Sequence, residues 1–173
     1  MGHVIWINGS FSTGKTTVAN LLVERIPGSF LFDPETIGAV LRDHLVPPSI
    51  YPGDFQDLPL WRSFARETIL DAAERSEHVI VVPMTIARPD CFDEIIGAIR
   101  TRVPVEHFTL MASRETILRR EASRSDDTGD WPAKTVDGVL PELAKSRYAE
   151  HLDAETQSPG SIAAEILNRA HKS

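Results

Sequence analysis

The stretch "INGSFSTGKTTVANLL", Ile7 to Leu22, reads as the end of a strand, a glycine-bracketed loop and the start of a helix. Gly9, Gly14, Lys15 and Thr16 satisfy G-x-x-x-x-G-K-[ST], the spacing of a phosphate-binding loop (P-loop). Each residue type has a physical reason. Glycines let the backbone curl until successive N–H groups point inward at phosphate oxygens. The helix that follows adds the positive end of its dipole. The lysine neutralises β- and γ-phosphates, and the threonine hydroxyl ligates Mg²⁺. The expected cofactors are therefore ATP and Mg²⁺. Gly9, Ser10, Phe11, Ser12, Thr13, Gly14, Lys15, Thr16 and Thr17 are expected around the phosphates, with Thr16 on the metal.

Outward from this loop the chain alternates between strand and helix patterns. "HVIWI" (His3–Ile7), "SFLF" (Ser29–Phe32), "HVIVVP" (His78–Pro83), "EHFTLMA" (Glu106–Ala112) and "AEHLDA" (Ala149–Ala154) are short apolar runs rich in strand formers. Between them lie helix patterns: Lys15–Arg25, a segment opened by Asp33 and Pro34, Leu58–Arg75, a segment opened by Asp90, a helix capped by Ser113, Ala133–Ala149 and a closing helix from Ser158–Pro159. Alternation of this kind implies parallel pairing, since each helix returns the chain to the same edge of the sheet. The expected fold class is α/β: a three-layer sandwich around a five-stranded parallel sheet, a P-loop NTPase of the nucleotide-kinase kind. One domain spans residues 1–173, with a helical lid at about 113–135 that the break containing Gly129 would let move.

Composition narrows the function classes. The net charge is −7 with a pI near 5.3, which argues against nucleic-acid binding, since that needs a basic face. Cys91 is the single cysteine, so no disulfide framework exists, and a cytoplasmic location is expected. The apolar run Val79–Ala87 is too short to span a bilayer and is broken by Pro83, so no membrane insertion is expected. His3, His44, His78, His107, His151 and His171 are scattered without metal spacing. The third strand runs into "VVPMT" without the acid that motor and switch ATPases place there, which favours a small kinase.

Further candidates follow from position. Asp33 lies beyond the second strand, at the sheet edge where ligands gather, and is expected to orient or deprotonate an acceptor hydroxyl as well as cap a helix. Arg120 and Arg124 share a helix face after the fourth strand and are expected, with Lys15 and Asp33, to be catalytic. Arg119 beside them is expected to bind nucleotide. Arg42, Trp61, Arg62, Arg66 and Thr85, with Asp33, are candidate acceptor-binding residues, since aromatic rings stack on a base or sugar and arginine forks onto phosphate.

The blocks "IWING", "GKT", "FDPETIG", "PLWRSF", "VPMTI", "FDEIIG" and "HFTLMASRETILRR" resemble the tunicamycin resistance proteins, within the wider group of P-loop kinases related to nucleotide, shikimate and chloramphenicol kinases. The resemblance runs from about Val4 to Leu167. It implies an ATP-dependent protein that confers resistance to a nucleoside antibiotic, with Asp33 facing the acceptor, lid arginines in "RETILRREASR" and the turn in "HLDAETQSPGSIA" passing beside adenine. Three readings follow: a phosphotransferase acting on a small-molecule hydroxyl, an ATP-dependent protein that binds and sequesters the drug, and a general nucleoside or nucleotide kinase. The partner in each is a small molecule. The sequence leaves the oligomeric state open.

Overall fold

The computed structural model describes residues 2–124 and 131–170. Five strands are joined through helices: β1 (His3–Gly9), α1 (Lys15–Arg25), β2 (Phe30–Leu31), α2 (Pro34–Val40), α3 (Pro59–Arg75), β3 (Val79–Pro83), α4 (Pro89–Phe92), α5 (Ala98–Arg100), β4 (Val105–Met111), α6 (Arg114–Ala122), α7 (Trp131–Leu143), β5 (His151–Asp153) and α8 (Pro159–Ala170). The strands form one parallel sheet in the order β2-β3-β1-β4-β5. β1 is therefore central, and its partners register at Ile7 with Pro83 and at Gly9 with Leu110.

Strand alternation divides the core in two. Val4 and Trp6 of β1 point into a cluster with α3, α4 and α5 that contains Ile69, Ile80, Val82, Ile95 and Ile99. Ile5 and Ile7 point the other way, into a cluster with α1, α6 and α8 that contains Val18, Leu22, Phe108, Ile117 and Ile166. A strand buried on both faces reads as a continuous apolar run, which is why "VIWI" carries no alternation. The result is the helix–sheet–helix sandwich expected. No described helix is long and apolar enough to cross a membrane.

Helix starts follow the expected chemistry. Asp33 Oδ1 accepts from the Glu35 amide at 2.9 Å, and Ser113 Oγ accepts from the Thr116 amide at 3.2 Å. Two departures have local causes. The helix after β3 begins at Pro89 rather than being capped by Asp90; proline fits a first helical position, and the Asp90 carboxylate is occupied holding Arg88. The helix expected to reach Ala149 stops at Leu143, two residues past Pro141, whose missing N–H deprives the last turn of a bond. The expected hinge at Gly129 lies outside the described residues.

Because all five strands run the same way, their carboxyl ends share one edge. The loops after β1, β2, β3, β4 and β5 converge there, which is where an open parallel sheet gathers ligands.

Candidate active site

The loop after β1 is held in a shape that few residues adopt. Gly9 has φ 138°, and a Cβ there would lie 2.8 Å from the Leu110 carbonyl, so only glycine lets the loop pass beneath β4. Ser12 is a non-glycine residue with φ 54°, an uncommon conformation of the kind found at functional loops. Thr13 Oγ1 donates to the Ser10 carbonyl at 2.7 Å and closes the curl. Gly14 stands at the start of α1 with no side-chain cap, and the first turn of α1 carries no acid, so its positive end is left for an anion.

Two braces hold the loop from below. Gly9 N–H donates to Asn8 Oδ1 at 2.8 Å, and the same oxygen accepts from Ile86 N at 3.0 Å. Asn8 Nδ2 donates to the Ile86 carbonyl at 2.8 Å and lies 3.2 Å from His107 Nε2. Burial pushes His107 down to about 4, so the ring is neutral, accepts from Asn8 and donates through Nδ1 to the Ala149 carbonyl. Thr85 Oγ1 donates to the Gly9 carbonyl at 2.6 Å.

Lys15 Nζ donates to the Ser10 carbonyl at 2.8 Å. Burial lowers its pKa to about 8, against the pull of the Glu35 and Asp33 carboxylates and with a push from Arg124. Glu35 is raised by desolvation and then by the neighbouring Asp33 charge, while Lys15 lowers it. Four charged groups, Lys15, Glu35, Asp33 and Arg124, thus meet around the loop. Asp33 spends one carboxylate oxygen on its helix cap. The Glu35 side chain makes no hydrogen bond among the described residues.

Cavities open on both sides of the loop. One of about 270 Å³ is lined by Ser12, Thr13, Gly14 and Thr17, by Arg120 and Arg124 of α6, and by Ala154, Gln157, Pro159 and Ile162 beyond β5. Another of about 500 Å³ is lined by Ser10, Phe11, Glu35, Arg42, Tyr51, Phe55, Gln56, Met84, Thr85, Arg88 and Trp131, among others. Phe11 and Trp131 meet at 5.3 Å on its wall. Ser10 Oγ, also on that wall, is buried without a hydrogen-bond partner among the described residues. A separate hollow of about 290 Å³ beside Arg100, His107 and Arg169 does not include the P-loop.

A family model described as an AAA domain matches residues 4–150. The solved tunicamycin resistance protein of Deinococcus radiodurans superposes with a TM-score of 0.82 at 30% identity, with 98% of this chain and 96% of that one covered. The chain belongs to the tunicamycin resistance protein family. The fold extends to more distant proteins. A gluconokinase from Sinorhizobium meliloti 1021 matches with TM-score 0.65 at 16% identity over 99% of this chain and 92% of that one. The Mycobacterium tuberculosis APS kinase, solved with AMPPNP and APS, matches with TM-score 0.62 at 16% identity over 98% of each. No curated protein matches by sequence.

In this member of the tunicamycin resistance family the residues singled out by sequence separate into groups. Lys15, Asp33, Arg120, Arg124 and residues Gly9 to Thr17 lie at the P-loop or against it. Arg120 Nη2 donates to the Ala154 carbonyl at 2.9 Å, and Arg124 Nη1 lies 3.5 Å from Ser12 Oγ. Arg42 and Thr85 line the larger cavity, although Arg42 is forked onto Asp43. Four expected residues are placed otherwise. Trp61 is fully buried, donates to the Pro34 carbonyl at 2.9 Å and packs on Phe55 at 4.9 Å; it supports a wall rather than facing a ligand. Arg62 is locked between Glu94 Oε2 (2.7 Å) and the Gln56 carbonyl (2.6 Å). Arg66 pairs with Glu67 at 2.8 Å. Arg119 turns to Thr116 Oγ1 at 2.9 Å, away from the nucleotide cavity. The amphipathic helix pattern could not separate braces from pocket residues, because both sit on partly exposed helix faces.

Glu35 and Trp131 are the residues that the sequence reading missed. Glu35 stands two positions beyond Asp33, a spacing that signals a second acid on the same helix start. Trp131 is a large aromatic left 59% exposed at the start of α7, beside the larger cavity.

Proposed function

We propose that the chain is an ATP-dependent phosphotransferase that modifies a hydroxyl of a nucleoside antibiotic of the tunicamycin kind. The observation that carries this reading is one P-loop shared by two cavities, with Lys15 between them and an unpaired carboxylate, Glu35, on the larger side. An ATP-dependent protein that only sequesters drug would share the P-loop, so a transfer assay separates the two readings.

The residues fit Mg²⁺·ATP. Thr16 opens α1 with a side chain that makes no hydrogen bond among the described residues, and Mg²⁺ in such sites keeps waters and phosphate oxygens as its other ligands. No cluster of three or more metal-binding side chains exists among the described residues, and this chemistry requires none. Bound Mg²⁺·ATP supplies the transferable phosphoryl group. Lys15 and the backbone N–H groups of residues 9–16 hold its phosphates, and Thr16 ligates the metal. Arg124 neutralises charge as it develops on the transferring group, while Arg120 fixes the rim of the nucleotide cavity. Glu35 orients the acceptor hydroxyl and takes its proton as the oxygen bonds to phosphorus and the bond to the ADP oxygen breaks. Burial raises its pKa above the ordinary carboxylate value, which favours it as a base. Asp33 holds Glu35 in place through the helix cap. Phe11, Tyr51 and Trp131 offer faces for the acceptor's rings.

Mass spectrometry of tunicamycin after incubation with protein, ATP and Mg²⁺ tests this directly, with the gain of one phosphoryl group as the expected result. Glu35→Gln should still bind ATP and should transfer about 10²–10⁴-fold more slowly. Full protection of cells with unmodified drug would replace the kinase reading with sequestration. Phosphorylation of plain nucleosides in preference to the drug would replace it with a general nucleoside kinase.

A further inference from the structure

The turn that follows β5 commits almost every polar group it has. Asp153 accepts from the Glu155 and Thr156 amides at 2.7 and 3.1 Å and from the Thr156 hydroxyl. Glu155 accepts from the Ser113 amide at 2.7 Å and the Thr116 hydroxyl at 2.6 Å. The Ala154 amide donates to the Met111 carbonyl at 2.8 Å, and its carbonyl is taken by Arg120. Ser158 accepts from the Ser161 amide at 3.1 Å. Gln157 is the exception. Its amide is half-buried, lines the 270 Å³ cavity and makes no hydrogen bond among the described residues.

The cavity has two unlike ends. The P-loop end, with Gly14, Thr17 and Arg124, is shaped for phosphate. The far end is Ala154, Pro159 and Ile162, an apolar slot suited to a flat ring. A nucleotide whose phosphates lie on the P-loop can place only its base at that far end. The one uncommitted polar side chain there is Gln157.

We infer that Gln157 reads the edge of the purine and gives this protein tolerance for both ATP and GTP; the inference rests on the nucleotide-binding reading of the P-loop. A primary amide offers a donor beside an acceptor. Adenine presents the N6 donor beside the N1 acceptor, and guanine presents the O6 acceptor beside the N1–H donor. A half-turn about the broad terminal torsion lets the same glutamine pair with either edge. A carboxylate in its place has acceptors only. It would keep one bond to adenine and face the N1 lone pair, while guanine could donate to it twice.

Fluorescence titration of ATP and GTP onto the intact protein, Gln157→Ala and Gln157→Glu tests this without any acceptor. The unmodified protein should bind the two within about tenfold of each other. Gln157→Ala should weaken both alike, and Gln157→Glu should move the ratio toward GTP by about tenfold or more, the ratio that one hydrogen bond commands. Melting curves should match across the three, since the side chain makes no internal bond. An unchanged ratio in Gln157→Glu overturns the inference, as does a preference for ATP beyond about a hundredfold that survives in Gln157→Ala. Failure of the unmodified protein to bind either nucleotide would remove the P-loop reading itself.

Discussion

On the side of the P-loop proposed for nucleotide, Ser12, Thr13 and Arg120 are held by other protein groups, while the Thr17 and Gln157 side chains make no hydrogen bond among the described residues. Arg120 is on the Ala154 carbonyl, Glu121 is on the Ser12 hydroxyl at 2.5 Å, and Glu155 bridges to Ser113 and Thr116. On the side proposed for the acceptor, Gln56, Thr85 and Arg88 are bonded in the same way, whereas the Glu35 carboxylate and Ser10 Oγ have no hydrogen-bond partner among the described residues. The walls differ as well. The nucleotide side is made of helix ends and strand ends, while much of the acceptor side comes from the irregular segment 46–58, including Tyr51 and Phe55. On the proposed reading, phosphate meets a loop whose shape is already closed by internal bonds, while the acceptor meets Glu35 and Ser10 on a less regular wall.

Lys15 stands between the two sides, so its removal should have the largest effect. Lys15→Ala should lower transfer by about 10²–10³-fold or more, because it removes the cation opposite the phosphates. Turnover equal to that of the unmodified protein would break the comparison at its centre. The same residue predicts a stability effect of the opposite sign. The Lys15 pKa of about 8 in the folded protein lies below the ordinary lysine value of 10.5, so the unfolded chain holds the proton more tightly. Stability therefore rises as pH climbs from 8 to 10.5, and below pH 8 the charged lysine is a constant cost. Lys15→Met should melt a few degrees higher at pH 7, with the advantage shrinking toward pH 10. A lower melting temperature at pH 7 would show that the lysine stem contributes more through packing than its charge costs.

The next effect separates the two arginines within the nucleotide side. Arg120 is bonded in the resting site, so Arg120→Ala should weaken ATP binding and slow transfer together, by roughly tenfold. Among the described residues Arg124 makes a side-chain contact only with Ser12, at 3.5 Å, so Arg124→Ala should slow transfer more than it weakens binding. Equal losses in both constants for Arg124→Ala would make it a second frame residue.

Trp61 tests the acceptor wall. Trp61→Phe leaves the Pro34 carbonyl without its indole partner inside the core, at a cost of about 1–3 kcal/mol. For a chain of this size that lowers the melting temperature by about 2–4 °C per kcal/mol. An acceptor KM that rises without any loss of stability would return Trp61 to the ligand.

These residues also mark what could be read from sequence. The sheet, the P-loop and the caps at Asp33 and Ser113 were legible because local chemistry specifies them: buried runs, glycine spacing, side chains that accept amide bonds. Trp61 and Arg62 serve as braces through groups that lie across from them, Pro34, Gln56 and Glu94, and helix periodicity carries no information about that. Glu35 was overlooked because Asp33 offered a complete local explanation, whereas the proximity of Glu35 to Lys15 arises only when β2 and β1 are brought side by side around β3.

Thr85 should give the smallest effect and the finest test of where the two sides meet. It lines the acceptor cavity, yet its hydroxyl donates to the carbonyl of Gly9, the first residue of the nucleotide loop. Thr85→Val keeps the shape and removes that one bond. Removing one neutral hydrogen bond should cost about 0.5–1.5 kcal/mol. If the hydroxyl serves the loop, ATP affinity falls a few-fold while acceptor KM stays put, and Thr85→Ser restores the affinity. If it serves the acceptor, KM for the acceptor rises and ATP binding is untouched. The first pattern makes Thr85 a strut that the nucleotide side borrows from the acceptor wall. The second places the boundary between the two sides at Gly9 itself.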